Sequence, residues 1–147
     1  PPYIRARADL VMANENWWAN LPKFQLGFDV WNLAEQIGFE RRILTQAPRR
    51  NPYSLSGKKM WIDKNLGQDV MFTMTRDKGS VYGTVFIDDY PKYVDRWLDW
   101  RKNGVVIMPA NSGNIAYSHP RVVRYDGTNL EEVRERMLWA KNRRHNL

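Results

Sequence analysis

The sequence contains 147 residues with a formal net charge of +7, and 43% of them are hydrophobic and 13% aromatic, so we expect one folded domain with a packed core. The absence of cysteine excludes disulfide scaffolds, cysteine nucleophiles and thiolate zinc sites, and the 2 histidines exclude a three-histidine metal site. No apolar run approaches the roughly 20 residues that span a bilayer, and the first residues lack the apolar core of a signal peptide, which predicts a cytoplasmic protein without membrane contact.

From Phe28 onward, short apolar runs alternate with amphipathic stretches. Continuous apolar strands that alternate with helices predict an α/β fold whose sheet is covered on both faces. The sequence predicts helices over 28–37, ending at Gly38, over 56–66, ending at Gly67, and over 93–100, and a last helix that begins at Thr128 or Asn129. It predicts strands at Ile43-Leu44 and over 70–74, 85–87, 105–108 and 122–124. Pro109 is expected to break the strand over 105–108, and an Asp126-Gly127 turn follows the last strand.

Polar side chains follow three of the predicted strands. Thr45 follows Ile43-Leu44, Lys78 follows the strand over 70–74, and Asp88 and Asp89 follow the strand over 85–87. In α/β sheets, ligands bind beyond the carboxyl ends of the strands. A hydroxyl, an ammonium and two carboxylates together suit phosphate and Mg²⁺, although each alone has an ordinary interpretation as a turn, cap or solvated residue.

The order of these segments resembles the haloacid dehalogenase-like phosphohydrolases, and within them the 5′(3′)-deoxyribonucleotidases of phage and bacterial type. The similarity extends from Trp17 to Met108. Thr-Arg-Asp-Lys followed by Ile-Asp-Asp is its most specific part. The resembling segments are Ile43-Leu44-Thr45-Gln46-Ala47-Pro48, Lys59-Met60-Trp61-Ile62-Asp63-Lys64-Asn65-Leu66-Gly67, Thr75-Arg76-Asp77-Lys78 and Val85-Phe86-Ile87-Asp88-Asp89-Tyr90-Pro91.

The resemblance implies a Rossmann-like three-layer sandwich with a mainly parallel sheet. Residues 28–147 would form this core, and residues 1–27 would be a remnant of a small helical cap and its connection to the core. It also implies a role for each residue at the strand ends. Thr45 would bind the transferring phosphoryl group, Lys78 would neutralise that group and the nucleophile, and Asp88 and Asp89 would hold Mg²⁺. Gln46 stands where the family usually has Ser, at a substrate-contacting position.

Four further residues are candidates for substrate contact. Trp17 and Trp18 resemble the aromatic stretch leading out of the cap, where the base is contacted, and core packing is the alternative interpretation. Arg49 and Arg50 follow the Thr45 loop, where a guanidinium suits a nucleotide phosphate, and a solvated loop is the alternative. The Asn111-Ser112-Gly113-Asn114 loop has turn-forming composition and no assigned role.

The nucleophile of this superfamily is the first Asp of an Asp-x-Asp motif on the first strand, and the sequence has no Asp-x-Asp. The segment most similar to this motif, Arg124-Tyr125-Asp126, is interpreted as the end of a strand followed by a turn. Two explanations stay open. The chain that starts at Pro1 belongs to a longer or split protein and needs a complementing N-terminal segment, or the protein has lost catalysis and binds a partner.

The sequence thus predicts a Mg²⁺-dependent nucleotidase that dephosphorylates nucleoside monophosphates through a phospho-aspartate, and that is inactive as this chain alone. The alternative is a non-catalytic subunit that binds nucleic acid or a protein partner, and homo-oligomers are compatible with both. A polynucleotide end-phosphatase would share the chemistry. The positive net charge is compatible with a nucleotide and with a nucleic acid as the ligand. A basic tail, Lys141, Arg143, Arg144 and His145, is read as a helix end that complements its dipole or as a nucleic-acid contact.

Overall fold

The structure, a computed structural model, describes residues 1–144, so His145 of the predicted basic tail lies outside the described residues. Helices and parallel strands alternate, which confirms the predicted α/β class. No helix in residues 1–144 combines the length and the apolar character needed to cross a membrane. The helices are α1 (Pro2–Met12), α2 (Glu15–Ala19), α3 (Gln25–Ile37), α4 (Tyr53–Leu66), α5 (Pro91–Asp99) and α6 (Leu130–Arg144), and the strands are β1 (Ile43–Gln46), β2 (Phe72–Thr75), β3 (Val85–Ile87), β4 (Val105–Pro109) and β5 (Val122–Tyr125).

The chain divides into two compact units, residues 1–22 with 42–76 and residues 23–41 with the part from Asp77 onward. Each unit draws on both sides of residue 28, the boundary predicted from the sequence. The assignment of residues 1–27 to a cap remnant therefore stays a prediction.

The first unit combines α1, α2 and α4 with the parallel pair β1–β2. The close approach of α2 to α4 depends on Gly57, because a Cβ at this position would lie 2.5 Å from the backbone oxygen of Glu15 and from Trp18 Cβ. The indole Nε1 of Trp61 also donates to Leu21 O at 2.7 Å. Helix packing thus builds this unit around a two-stranded sheet.

The second unit is a three-stranded parallel sheet in the order β3-β4-β5, with helices on both faces. β4 is central and all five of its residues are buried. Side chains alternate between the faces of a strand: Val105 and Ile107 belong to the core cluster with α3 and α6, while Phe86 of β3 stacks on Trp97 of α5 at 5.2 Å. This arrangement confirms the prediction of a sheet covered on both faces.

Most predicted element ends agree with the structure. Gly38 ends α3 in the left-handed conformation (φ 82°), and α6 begins at Leu130, directly after Asn129. Two expectations need correction. Pro109 does not break the strand but is its last residue. It is tolerated because β3 ends at Ile87 opposite Ile107, so no strand residue on that side needs a donor from position 109. The sequence reading also lacked α1 and α2.

Candidate functional site

An ion pair between Lys78 and Asp88 lies at the carboxyl end of β3. The apolar strand ends at Ile87, and Asp88 N still donates to Ile107 O of β4 at 3.3 Å, so the Asp88 side chain starts where the ladder stops. Lys78 Nζ lies 2.6 Å from Asp88 Oδ2, and the two residues are only 9% and 8% exposed. Two opposite charges are therefore held together out of solvent at the edge where α/β sheets bind ligands.

The segment that carries Lys78 is fixed by α5. Lys78–Ser80 is a single 3₁₀ turn whose N-cap is Asp77. Arg96 of α5 donates to both carboxylate oxygens of Asp77, at 3.3 and 3.0 Å. Arg101, just beyond α5, donates to Val81 O at 2.6 Å. The backbone on both sides of Lys78 is thus tied to one helix, which leaves the ammonium a defined position.

The environment of Asp88 disfavours its charged form. Burial raises the pKa of Asp88, although the Lys78 ammonium and the backbone N–H of Tyr90 at 2.9 Å act in the opposite direction. Lys78 Nζ has a second contact, since it lies 4.7 Å from the centroid of the Tyr93 ring. A buried carboxylate whose pKa is raised although it is paired with a cation is typical of sites that bind an ion or do chemistry.

Asp89, the neighbour of Asp88, is exposed and held by amides. Asn111 Nδ2 donates to Asp89 Oδ2 at 2.6 Å, and Asn114 Nδ2 donates to Asp89 O at 2.9 Å and to Pro109 O at 2.9 Å. Asn114 is 1% exposed, and its Oδ1 accepts from Arg124 Nε at 3.0 Å. The loop after β4 and the end of β5 therefore position Asp89.

Sequence reasoning missed this amide network. It had noted the 111–114 loop after the strand over 105–108 without assigning it a role. It assigns Arg124 only to the segment most similar to Asp-x-Asp at the end of a predicted strand. The available signal was the position of that loop at a strand's carboxyl end, where polar residues face ligands.

The hydroxyl and amide predicted for the site, Thr45 and Gln46, lie at the carboxyl end of β1 in the other unit. They pair in parallel register with Met74 and Thr75 of β2. Gln46 Oε1 is buried and has no hydrogen-bond partner among the described residues, which is uncommon for a buried polar atom. Because Thr45 belongs to a different unit from Lys78, their predicted convergence on one phosphate stays a prediction.

A lysine that the sequence analysis did not select, Lys58 of α4, marks the same strand end. Its Nζ donates to Gln46 O at 2.6 Å and lies 5.3 Å from the centroid of the Trp18 ring. The ammonium on the Gln46 backbone oxygen gives this end of β1 a polar character that the apolar pattern of the strand does not reveal. Its signal in the sequence is weak, since one lysine in a helix is ordinary.

The four further candidate contacts all lie in the first unit. Trp18 Nε1 donates to Met12 O at 2.8 Å, and the Trp17 ring meets the Trp18 ring edge-on at 4.9 Å. This packing agrees with the alternative interpretation of Trp18 as a structural residue. Arg49 and Arg50 are exposed and form no ion pair with another described residue. A contact of these four with substrate stays a prediction.

The donor chemistry at the end of β3 fits a hard divalent cation. Mg²⁺ binds through one or two carboxylates and keeps several waters, so a protein cage is not required. Asp89 is exposed, with only Oδ2 hydrogen-bonded among the described residues, and Asp88 is a desolvated carboxylate directly beside it. Within residues 1–144, no group of three or more His, Cys, Asp or Glu side chains converges as a metal cage. Asp88 and Asp89 are therefore the residues that would hold Mg²⁺.

No protein-family model matches the chain, and no curated protein matches it significantly.

Proposed function

We propose that this chain is the phosphate- and cation-binding part of a Mg²⁺-dependent, haloacid dehalogenase-like nucleotidase that acts on nucleoside monophosphates in the cytoplasm. The observation that carries the proposal is the buried ion pair of Lys78 with Asp88 at the carboxyl end of β3, with the exposed Asp89 directly after it. An ammonium and two adjacent carboxylates at a strand end suit a phosphoryl group and its counter-cation better than they suit a purely structural role, because burying charges costs free energy.

Each of these residues has a chemical task in the proposal. Lys78 donates to the phosphoryl oxygens and balances the charge that spreads over them during transfer. Asp88 and Asp89 hold Mg²⁺, which neutralises negative charge on the phosphoryl group when it is bound. The substrate contacts predicted from the sequence for Thr45, and for Arg49, Arg50, Trp17 and Trp18, stay predictions, because these residues belong to the other unit.

Under this proposal the nucleophile belongs to a complementing N-terminal segment, since the given sequence contains no Asp-x-Asp. In the described part of the chain, the only strand paired with β3 is β4. We propose that a strand bearing the nucleophile adds beside β3. Its carboxylate oxygen would attack phosphorus as the bond to the nucleoside oxygen breaks, and a second carboxyl group on the added strand would protonate that leaving oxygen. Water would then hydrolyse the acyl phosphate, which frees phosphate and returns the carboxylate.

Metal binding tests the role of the two carboxylates without requiring turnover. Calorimetric titration with Mg²⁺, and electron paramagnetic resonance with Mn²⁺, should show one site in the chain and at least a tenfold weaker site in Asp89→Asn. Asp99→Asn is the matched control, because Asp99 is an exposed carboxylate at the end of α5 in the same unit. Equal metal affinity in both variants would remove the cation site from the proposal.

Phosphate release from deoxyuridine monophosphate tests the reaction. The chain alone should release none, while the longest natural polypeptide that contains it should be active and should lose activity in the Lys78→Met variant. Activity of the chain alone would contradict the phospho-aspartate mechanism.

The non-catalytic alternative, a subunit that binds nucleic acid, is favoured by one observation, the exposed Trp139 of α6 with Arg136 and Arg143 against its ring. In that case the chain should retain nucleic-acid affinity in Asp89→Asn, because this carboxylate would have no part in binding.

A further inference from the structure

A stripe of three side chains on α6 joins two arginines to an exposed tryptophan. Arg136, Trp139 and Arg143 are spaced by three and four residues, so they lie on one face of the helix. Trp139 is 49% exposed, although large aromatic side chains are usually covered. We call these three residues the α6 stripe.

The two guanidinium groups lie against the tryptophan ring. Arg143 Cζ is 4.5 Å and Arg136 Cζ is 5.9 Å from the ring centroid of Trp139, both within the range of a cation–π interaction. Arg143 also donates from Nη2 to the backbone oxygen of Asn103, which anchors it. The ring is thus held in place by its neighbours while about half of its surface stays in solvent, and such pre-ordering lowers the entropic cost of binding.

The positive charge of the stripe is not neutralised. Within residues 1–144, neither Arg136 nor Arg143 forms an ion pair with a carboxylate. The nearest acidic residue in sequence is the exposed Glu135, one turn before Trp139. The stripe therefore presents a net positive charge around an exposed aromatic ring.

Another exposed tryptophan, Trp100, lacks this combination. Trp100 is 66% exposed, and Arg96 Cζ lies 5.3 Å from its ring centroid. The charge of Arg96 is, however, matched by Asp77, whose Oδ2 lies 3.0 Å from Arg96 Nη2. Trp100 therefore has similar aromatic exposure and an arginine on its ring without the free charge, which makes it a matched internal control.

An exposed indole flanked by unpaired guanidinium groups suits a ligand with flat rings and regularly spaced phosphates. In single-stranded nucleic acid, bases stack on aromatic side chains and arginines bind phosphates, often bidentately. In a duplex the base faces are hidden by stacking. The two arginines lie about 10 Å apart along the helix axis, a length of about three stacked nucleotides.

We propose that the α6 stripe is a binding site for single-stranded nucleic acid, in which one base stacks on Trp139 and neighbouring phosphates contact Arg136 and Arg143. The site is independent of the proposed phosphatase chemistry, since it shares no residue with it.

Fluorescence anisotropy with a labelled oligonucleotide of about 12 nucleotides, a length within the usual site size, tests the proposal on the whole chain. Trp139→Ala should weaken binding about tenfold or more, the typical effect of losing one stacked base, whereas Trp139→Phe should retain most of the affinity. Arg136→Gln should reduce the slope of log affinity against log salt by about 0.7, the loss of one phosphate contact. Glu135→Gln should tighten binding. Because Trp139 is exposed, its variants should fold.

The controls separate stacking from other modes of binding. Trp100→Ala should bind like the wild type, and a duplex of the same length should bind more weakly and be insensitive to Trp139→Ala. The proposal is overturned if no binding occurs at about 0.1 M salt, since even non-specific nucleic-acid binding is measurable near physiological salt, or if Trp139→Ala leaves affinity unchanged. It is equally overturned if Trp100→Ala causes the same loss of affinity. It is also overturned if vesicles of phosphatidylserine and phosphatidylcholine displace the oligonucleotide and if Trp139→Ala abolishes their binding.

Discussion

The buried pair of Lys78 and Asp88 leads to an asymmetric prediction for Lys78→Met and Asp88→Asn. The charged atoms are 2.6 Å apart, and at an effective dielectric constant of about 20 such charges attract by roughly 6 kcal/mol. Taking two ions out of water costs several kcal/mol each. The intact pair therefore contributes little net free energy of unfolding, whereas one charge left alone is costly.

The two single variants should differ because the remaining charges have different surroundings. Lys78→Met leaves a carboxylate whose pKa is already raised by burial, and we expect a loss of about 3–5 kcal/mol, as for other broken buried pairs. Asp88→Asn leaves an ammonium that still faces the Tyr93 ring at 4.7 Å. A cation–π interaction of about 1–2 kcal/mol should reduce that loss to about 2–3 kcal/mol.

Urea denaturation followed by circular dichroism at pH 7, with chelator present, gives these values. The double variant should lie within about 1–2 kcal/mol of the wild type, because neither charge is then buried without a partner. The reasoning is refuted if the two single losses simply add in the double variant. It is also refuted if Asp88→Asn proves the more damaging substitution.

Three further predictions concern residues that hold neighbouring segments together within each unit. Gly57→Ala should lower stability by about 1–3 kcal/mol in thermal denaturation, since a Cβ there would lie 2.5 Å from the backbone, whereas Gly27→Ala, with its nearest atom at 3.7 Å, should not destabilise. Asn114→Ala should cost about 2–4 kcal/mol in urea denaturation because it leaves buried partners unsatisfied, and the exposed Ser112→Ala should be neutral. The Arg96 guanidinium lowers the pKa of Asp77. The stabilisation by Asp77 is therefore present above its unfolded-state pKa and is lost as pH falls through its lower folded-state pKa. The difference in stability between the wild type and Asp77→Asn, measured from pH 7 to pH 3, should shrink as pH falls.

The elements that the sequence predicted well are those whose signal is local. The end of α3 follows from one residue, Gly38, which adopts a left-handed conformation that other residues avoid. The strand that became β4 is a continuous apolar run, and its complete burial between two helical layers is the environment that such a run predicts. The polar residues after the strands were found by the same rule, because a strand's end is visible as the point where the apolar run stops.

What escaped prediction depends on contacts between distant residues. α1 has no buried residue, so no periodic apolar face marked it in the sequence. The hydrogen bond from Arg101 to Val81 O joins residues 20 apart in the sequence, and the one from Asn114 to Asp89 O joins residues 25 apart. An asparagine or arginine at such a position looks like any turn or surface residue until the fold brings its partner to it.

The ion pair also bears on how ligands would bind under the proposed function. Without ligand, Lys78 and Asp88 compensate each other's charge at the end of β3. A phosphate alone would draw the ammonium away and leave the carboxylate buried without a cation, while Mg²⁺ alone would leave the ammonium without its anion. When both bind, each protein charge exchanges one partner for another, so no buried charge is left uncompensated. Mg²⁺ and phosphate should therefore bind cooperatively, each raising the affinity for the other by the same factor. Titrating phosphate with and without Mg²⁺ by calorimetry measures that factor, and a value of one would show that the pair does not link the two ligands.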